Sequence, residues 1–453
     1  MTTEILCLVL AAGKGTRMRS ASPKVMHPVA GQPMVAHVLA AADALAPVRR
    51  GVVIGPDMEV VTQAVAPWPT VVQQHQAGTA DALKTARGIW AGFDGIVLAV
   101  YGDTPLITTA TLKALAAAVD QPDRPALAVL GFRPDDTTGY GRLVLTQDGH
   151  LTAIVEHADA DADMRRIGLC NAGMMAFDGR RLGELLDAIG NDNAKGEYYL
   201  TDAVAIARAK GYGAVVAEGP VEEAMGINTR AELAKAEAVM QGRLRDRAMN
   251  GGATLIDPAT VYFSADTVVG RDVTIGPNVV FGPRVVVEDE VEILSFCHFT
   301  DAVIRKGAIV GPFARLRPGA DIGPGAHIGN FVEVKNTTIG KGSKANHLTY
   351  LGDARIGAGT NVGAGTITCN YDGYLKHLTQ IGDEVFIGSN TSLVAPVTVG
   401  DRSNIAAGSV ITRDVAEDAL AIERADQTQR PGWAKDYRAR KAAEKAARAK
   451  TKP

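Results

Sequence analysis

Over the second half of the chain an aliphatic side chain returns every six positions, a pattern that few folds can accommodate. Val269, Ile275, Phe281, Val287 and Ile293 stand six apart. The frame resumes at Val310, Leu316, Ile322, Ile328 and Val334, and again at Ile339, Ala345 and Leu351. It closes with Ile381, Ile387, Leu393, Val399, Ile405 and Ile411. A six-residue period held over this length identifies a parallel β-helix. Each hexad forms one flat face of a triangular coil, with its aliphatic residue turned inward. Glycine often stands beside that residue, where the chain must turn a tight corner. Much of the complement of 49 glycines falls after residue 250, so composition shifts partway along.

The first half follows a different rule. Ile5-Leu-Cys-Leu-Val-Leu10 is an unbroken apolar run suited to a strand buried on both faces of a parallel sheet. It passes straight into Ala11-Ala-Gly-Lys-Gly-Thr-Arg-Met18, then Ser22-Pro-Lys24. Small residues after a central strand let the backbone approach a phosphate-bearing ligand and aim N–H groups at it. Two familiar phosphate loops do not fit. A Walker A loop needs Gly-Lys-Ser/Thr after a four-residue spacer, whereas Lys14 sits between Gly13 and Gly15. A dinucleotide fingerprint needs a small residue where Met18 stands.

Apolar strands and helical stretches continue to alternate. Gly95-Ile-Val-Leu-Ala-Val100 ends in Tyr101-Gly-Asp103-Thr-Pro-Leu106. A carboxylate at the carboxyl end of a buried parallel strand is placed to hold a metal at the sheet crevice. The competing reading is a loop aspartate that caps a helix from Thr108. Asn228-Thr229-Arg-Ala-Glu232 then has the form of a capping box, and Leu233, Ala236, Met240 and Leu244 recur at helical spacing up to Asn250-Gly-Gly252. This predicts one linking helix of about five turns. The domain reading is therefore 1–228, a linker over 229–250, a β-helix over 251–433 and a tail over 434–453. The tail is rich in alanine and basic, with Lys and Arg from Lys435 to Lys452. It reads either as a frayed helix packing on a neighbour or as disordered, with only weak support for a nucleic-acid role.

Composition narrows the function classes. The chain has 453 residues, enough for two domains that each bury a core. Charged residues make up 21% with a net charge of −3, so no basic excess calls for nucleic acid. Cys7, Cys170, Cys297 and Cys369 are far apart with no metal spacing, which reads as reduced, buried thiols of a cytoplasmic protein. Glu4 and no basic residue precedes the first apolar run, and that run is far short of the about 20 residues a membrane helix needs. Neither a signal peptide nor a membrane span is expected.

The stretch L-A-A-G-K-G-T-R-M followed by P-K closely resembles the signature of sugar-phosphate nucleotidylyltransferases. The period of six resembles the left-handed β-helix of hexapeptide acyltransferases, an exception to the right-handed crossover rule. Within it, Arg315-Leu-Arg317-Pro, Val334-Lys335, Asn346-His347-Leu-Thr-Tyr350, Asn361 and Cys369-Asn370-Tyr371-Asp372-Gly373 lie close together, with Lys376 in a loop outside the repeat. These runs are similar throughout to the family of bifunctional N-acetylglucosamine-1-phosphate uridyltransferases and glucosamine-1-phosphate acetyltransferases. The likeness spans residues 5 to about 433.

That resemblance implies an α/β, Rossmann-like nucleotidyltransferase domain with a mostly parallel sheet, followed by a left-handed parallel β-helix. It implies acetyl transfer from acetyl-CoA to glucosamine 1-phosphate, then uridylyl transfer from UTP to N-acetylglucosamine 1-phosphate with release of pyrophosphate. The product, UDP-N-acetylglucosamine, feeds peptidoglycan and, where present, lipopolysaccharide. By the same resemblance Leu10, Ala11, Ala12, Gly13, Lys24, Tyr101 and Gly102 surround the nucleotide. Gln73, Gly78 and Thr79 contact uracil, and Gly141, Glu156 and Asn171 contact the sugar. Asp103 and Asn228 hold Mg2+, while Arg17 and Lys24 neutralise phosphate oxygens. The in-line displacement needs charge and alignment and no protein nucleophile.

In the β-helix, the resemblance makes His347 the general base, because an amine attacks a thioester only when unprotonated and imidazole takes a proton near neutral pH. Arg317, Lys335 and Lys376 clamp the sugar phosphate, and Tyr350 and Asn361 orient the sugar. Ala364 offers a backbone N–H to the oxyanion, and Asn370, Tyr371, Ser389, Ala407 and Arg424 complete the acetyl-CoA contacts. The family's coils associate as homotrimers with active sites between subunits. Two departures are evident: Asp81 stands where the family usually has His, and Ala172 where Thr is common. Competing readings are a nucleotidylyltransferase whose β-helix serves assembly alone, which loss of His347, Lys335 and Arg317 would have favoured, and a non-catalytic scaffold lacking Lys24, Asp103 or Asn228. All six residues are present.

Overall fold

The computed structural model describes residues 3–193 and 196–450. These residues form two compact units, one running to Val269 and taking in Pro277–Arg284, the other comprising Gly270–Gly276 and the chain from Val285. The long helix and the first coils thus belong to the first unit.

At the centre of the first unit Ile5–Leu10 lies between Ile96–Tyr101 and Arg49–Ile54, parallel to both. The sheet continues outward through Thr70–Val72 on one side and through Cys170–Asp178, Leu127–Phe132 and Ala214–Glu218 on the other. Only Cys170–Asp178 in this row runs antiparallel to its neighbours. Side chains alternate across a strand, so an apolar run with both faces covered must feed two cores. Leu6 and Leu8 pack with Leu83, Trp90 and Leu185, while Cys7 and Val9 pack with Val38, Leu112 and Leu115. The helix Arg230–Asn250 begins with Thr229 and Glu232 closing the expected capping box. Ala236, Met240 and Leu244 are buried along one stripe. Gln241 is buried with them, where its amide exchanges two hydrogen bonds with the Phe263 backbone at 2.7 and 2.8 Å.

The second unit is a left-handed parallel β-helix with three faces per coil. One face stacks Ile309–Val310, His327–Asn330, Lys344–His347, Asn361–Val362 and Phe386–Ile387. The next stacks Arg315–Leu316, Glu333–Lys335 and Tyr350–Gly352, and the third Ala302–Ile304, Ala320–Ile322 and Thr337–Ile339. The inward aliphatic residues from Ile275 to Ile411 are buried; Val269, in the first unit, is only partly so. Two positions before each of them lies a second buried residue, alanine or valine in the early coils and, apart from Val385 and Val397, threonine or serine later. Several of the buried hydroxyls donate to backbone carbonyls, as Ser343 to Gly357 at 2.6 Å and Thr360 to Gly382 at 2.8 Å, whereas Thr379 Oγ1 has no partner among the described residues.

The breaks in the period have a physical cause. At Asp301, Asn336 and Asp353 the corner is turned in one residue fewer, with φ of 47°, 45° and 48°. Aspartate and asparagine tolerate that left-handed geometry better than other side-chain-bearing residues. The larger break is an insertion: Ala358 and Asp383 meet 25 residues apart, where contacts such as Arg305–Asp321, Asn330–His347 and Glu288–Lys306 between adjacent coils span 16, 17 and 18. The excess is the loop carrying Lys376.

Among the described residues no helix is long and apolar enough to cross a membrane. All four cysteines are free, and Cys369, unlike the other three, is partly exposed. The tail forms a helix, Trp433–Lys450, whose Trp433 and Tyr437 rings stack 5.0 Å apart.

Replacing Leu351, fully buried in the coil, by alanine is expected to cost about 2–5 kcal/mol. Replacing Leu348, which is 62% exposed at the adjacent corner, is expected to change stability by less than about 0.5 kcal/mol. Urea unfolding of the two variants measures the difference.

Candidate active sites

In the first unit the turn after Ile5–Leu10 opens on a pocket of about 380 Å3, lined by Leu10, Ala12, Gly13, Gln73, Gly78, Thr79, Tyr101 and Asp103. Its lining also includes Gln76, Glu197 and Tyr199, which carry no recognisable sequence signal. A second pocket of about 490 Å3 shares Tyr101 and Asp103 and adds Arg17, Thr138, Gly139, Tyr140, Asn171, Ala172, Gly226 and Asn228. Glycine is required at two points of this turn system. A Cβ on Gly15 (φ +62°) would strike the Lys24 side chain at 2.5 Å, and one on Gly78 (φ +111°) the Tyr198 carbonyl at the same distance. Gly102 donates to the Leu10 carbonyl at 2.9 Å, and Ala11 to Val53 at 2.7 Å.

Three residues far apart in sequence converge between these pockets. The Lys24 ammonium donates to the Asp103 carboxylate and, at 2.9 Å, to Asn228 Oδ1. The Asp103 side chain therefore does not cap the following helix. Thr108 does, accepting the Thr111 N–H at 3.3 Å, while its own N–H goes to Glu223. Asn228 is held by the start of the long helix: Glu232 accepts the N–H groups of Asn228 and Thr229 at 2.7 and 2.8 Å. The negative charge of Asp103 and burial both push the Tyr101 phenol upward, with burial the larger cause.

Gly141, Glu156 and Asn171 come together beside the second pocket, where Asn171 donates its backbone N–H to the Gly141 carbonyl at 2.8 Å. A Cβ on Gly141 would lie 3.4 Å from Glu156 Oε1. The loop beside them is held from within by Arg142, fully buried, which donates to the Tyr140 carbonyl and to Thr137 Oγ1 at 2.8 Å.

In the second unit the sites lie along two corners of the coil. At one, stacked positions form a column. Leu348 donates to Asn330 at 3.1 Å, Gly365 to His347 at 3.4 Å, Asn390 to Ala364 at 2.7 Å and Gly408 to Ser389 at 2.8 Å. Arg424 Nη1 closes it on the Ala407 carbonyl at 2.7 Å. At about 4.8 Å per rung the column from His347 to Arg424 extends on the order of 20 Å. His347 Nδ1 lies 2.7 Å from Asn330 Oδ1, an acceptor, so in the neutral ring the proton sits on Nδ1 and Nε2 is the nitrogen left free. Among the described residues no chain acceptor takes the Ala364 N–H.

The other corner gathers charge. Arg317 donates to Glu333 at 2.7 Å. Asp353 accepts from Asn336 at 2.6 Å and from Asn370. Burial raises the Asp353 carboxyl, but these two bonds and the charges of Lys376 and Lys335 outweigh it and hold the group low. The neighbouring Lys376 amino group, then desolvation, push Lys335 below the ordinary lysine range. An anion seated on the two lysines relieves that repulsion. Tyr350 lies on the face between the two corners, whereas Asn361 stands on the adjoining face next to Lys344. One chain therefore does not bring Asn361 together with Arg317, Lys335 and Tyr350.

Residues 7–169 match the family of MobA-like NTP transferase domains, and residues 301–336 and 378–413 match the bacterial transferase hexapeptide repeats. Over 445 residues the chain is 58% identical to the bifunctional protein GlmU of Paramagnetospirillum magneticum, covering 98% of this chain and 99% of that protein. It is 59% identical to its Rhodospirillum rubrum counterpart over 96% of this chain and 98% of the other, and 56% identical to that of Bradyrhizobium over 96% and 97%. This chain belongs to the GlmU family.

The GlmU-type loop holding Lys376 owes its shape to Asp372, which the sequence reading did not single out. Its carboxylate accepts the Tyr374 and Leu375 N–H groups at 2.8 and 2.7 Å and meets His377 Nε2 at 2.7 Å. The Leu375 N–H, then His377 and the Tyr374 N–H, lower its pKa to about 2. A depressed carboxylate anchors fully above the unfolded value of about 3.9 and fails as pH falls through the folded one. Protection of the Tyr374 and Leu375 amides, taken relative to the intrinsic exchange rate at each pH, should hold down to about pH 4 and be lost only toward about pH 2. The Asp372→Asn variant should exchange fast throughout.

Proposed function

We propose that this chain makes UDP-N-acetylglucosamine in two steps, each at one of the sites described. The observation that carries the reading is His347, oriented by Asn330, standing at the head of the column that ends at Arg424.

In the acetyl step His347 Nε2 removes a proton from the amine of glucosamine 1-phosphate. The amine nitrogen attacks the thioester carbon of acetyl-CoA; the C–S bond breaks and the proton passes to the departing thiolate. Lys335, Lys376 and Arg317 hold the sugar phosphate, with Tyr350 and Asn361 orienting the ring. The Ala364 N–H receives the developing oxyanion. The coenzyme lies along the column past Ser389 and Ala407 to Arg424; Asn370 and Tyr371, which stand at the other corner of this chain beside Asp353, would reach it from a neighbouring chain.

In the uridylyl step the phosphate of N-acetylglucosamine 1-phosphate attacks the α-phosphorus of UTP, and pyrophosphate leaves. Gln73, Gly78 and Thr79 hold the base, and Gly141, Glu156 and Asn171 the sugar. Leu10, Ala11, Ala12, Gly13 and Gly102 let the phosphates approach the backbone, and Arg17 and Lys24 neutralise them. The Lys24 ammonium already stands as a cation on Asp103 and Asn228, which supports a cation site formed by these two oxygens. One carboxylate and one amide oxygen, with phosphate and water completing the shell, suit Mg2+. Bound there, Mg2+ supplies charge neutralisation to the phosphates.

The split of Asn361 from the phosphate clamp supports a homotrimer in which a neighbouring chain completes the acetyl site. Phe296, Phe313 and Phe331 stack along the corner that leads to His347, each about half exposed, and offer an apolar strip to such a neighbour. The reading places the enzyme in the cytoplasm, where both co-substrates are found.

Asp103→Asn should lower pyrophosphate release by at least about 100-fold and leave thiol release from acetyl-CoA unchanged. His347→Ala should do the reverse, cutting thiol release by about 100- to 10,000-fold. A variant that lost both activities without unfolding would contradict the assignment. Light scattering should give about three times the chain mass of 47.4 kDa, and a monomer with intact acetyl transfer would exclude the trimer.

A further inference from the structure

Gln73 lines the nucleotide pocket and is only 3% exposed. A glutamine amide can present either an acceptor or a donor to a ligand, according to which way it is turned. Here the turn is decided by the protein. Nε2 lies 2.9 Å from the Gly78 carbonyl and 2.7 Å from Asp81 Oδ2, two groups that accept and do not donate. Both of its N–H bonds are thereby used, and exchanging Oε1 with Nε2 would set an oxygen against two oxygens. Among the described residues no donor takes Gln73 Oε1. Asp81 is the residue at which this chain departs from the family's usual histidine.

We propose that Asp81 is a positioning residue that selects the base: it fixes Gln73 so that the pocket presents an acceptor, which admits a pyrimidine bearing N3–H and rejects one bearing an N3 lone pair. Uracil has the N–H; cytosine has the lone pair. Asp81 also takes the Ala77 N–H at 3.3 Å, which ties the same carboxylate to the turn leading into Gly78. A neutral imidazole at this position also offers Gln73 a lone pair, so the departure from the family pattern preserves the function by other atoms. The inference rests on the uridylyl reading above and adds to it the residue that sets the nucleotide choice.

The test compares pyrophosphate release from UTP and from CTP, with N-acetylglucosamine 1-phosphate as acceptor, in wild type, Asp81→Asn and Asp81→His. An asparagine both donates and accepts, so the lock on Gln73 weakens. The UTP-to-CTP ratio of kcat/KM should fall by about tenfold or more in Asp81→Asn and stay within about threefold of wild type in Asp81→His. A merely structural role for Asp81 would lower both nucleotides together and leave the ratio within about twofold, which overturns the proposal. Wild type with 3-deaza-UTP, which carries C–H in place of N3–H, gives a check that needs no variant to fold. Its kcat/KM should drop at least about tenfold below that of UTP, and equal turnover would overturn the proposal. A wild-type chain that releases no pyrophosphate from UTP overturns the uridylyl reading and this inference with it. Activity on UTP with unaltered selectivity in Asp81→Asn overturns the inference alone.

Discussion

The backbone ladder between successive coils is the constraint on which the acetyl site depends. Each strand of the β-helix is two to seven residues long, too short to hold its place by itself. It is held because its N–H and C=O groups bond in register to the coils on either side, while the aliphatic residue beneath is buried. A slip of one residue would turn that side chain outward and break the column of neighbours as well. In register, residues far apart in sequence become vertical neighbours, as Asn330 and His347 are. His347, the Asn330 amide beside it and Arg424 are thus placed by the same bonds that make the fold.

The nucleotide site is built by a different device that reaches the same end. A central parallel strand delivers a flexible turn at its carboxyl end, and charges from three chain positions meet there. Lys24 comes from beyond the turn, Asp103 from the end of the next strand, and Asn228 from the mouth of the long helix, fixed by Glu232. The ammonium of buried Lys24 and the carboxylate of partly buried Asp103 neutralise each other, so neither charge stands alone. The β-helix meets the same problem with Asp353 beside Lys335 and Lys376.

Much of this was legible before any coordinates. The period of six yields the triangular coil, the run Ile5 to Leu10 yields the central strand, and Thr229 with Glu232 yields the helix start. What the periodicity did not disclose follows from the ladder. The second inward position alternates between valine, alanine and a hydroxyl residue, so it carries no steady hydrophobic signal. The short corners at Asp301, Asn336 and Asp353 look like lost frames, although a left-handed Asp or Asn turns the chain there. Asn330 and Asp372 were missed for separate reasons. Asn330 acts on a residue one coil away, and 17 positions is no familiar motif spacing. Asp372 stands in the run Cys369 to Gly373, but its work is done through backbone N–H groups that a sequence does not show. Gln76, Glu197 and Tyr199 enter their pocket only through the folding of loops.

The central claim is that two separable sites on one chain act in succession. Its most direct test is product formation by mixed variants. Glucosamine 1-phosphate, acetyl-CoA, UTP and Mg2+ are supplied to Asp103→Asn alone, to His347→Ala alone and to the two together, and UDP-N-acetylglucosamine is measured by mass spectrometry. The account predicts almost no product from either variant and restored synthesis from the mixture, through N-acetylglucosamine 1-phosphate made by one and used by the other. Failure of the mixture, with both variants folded, would contradict it.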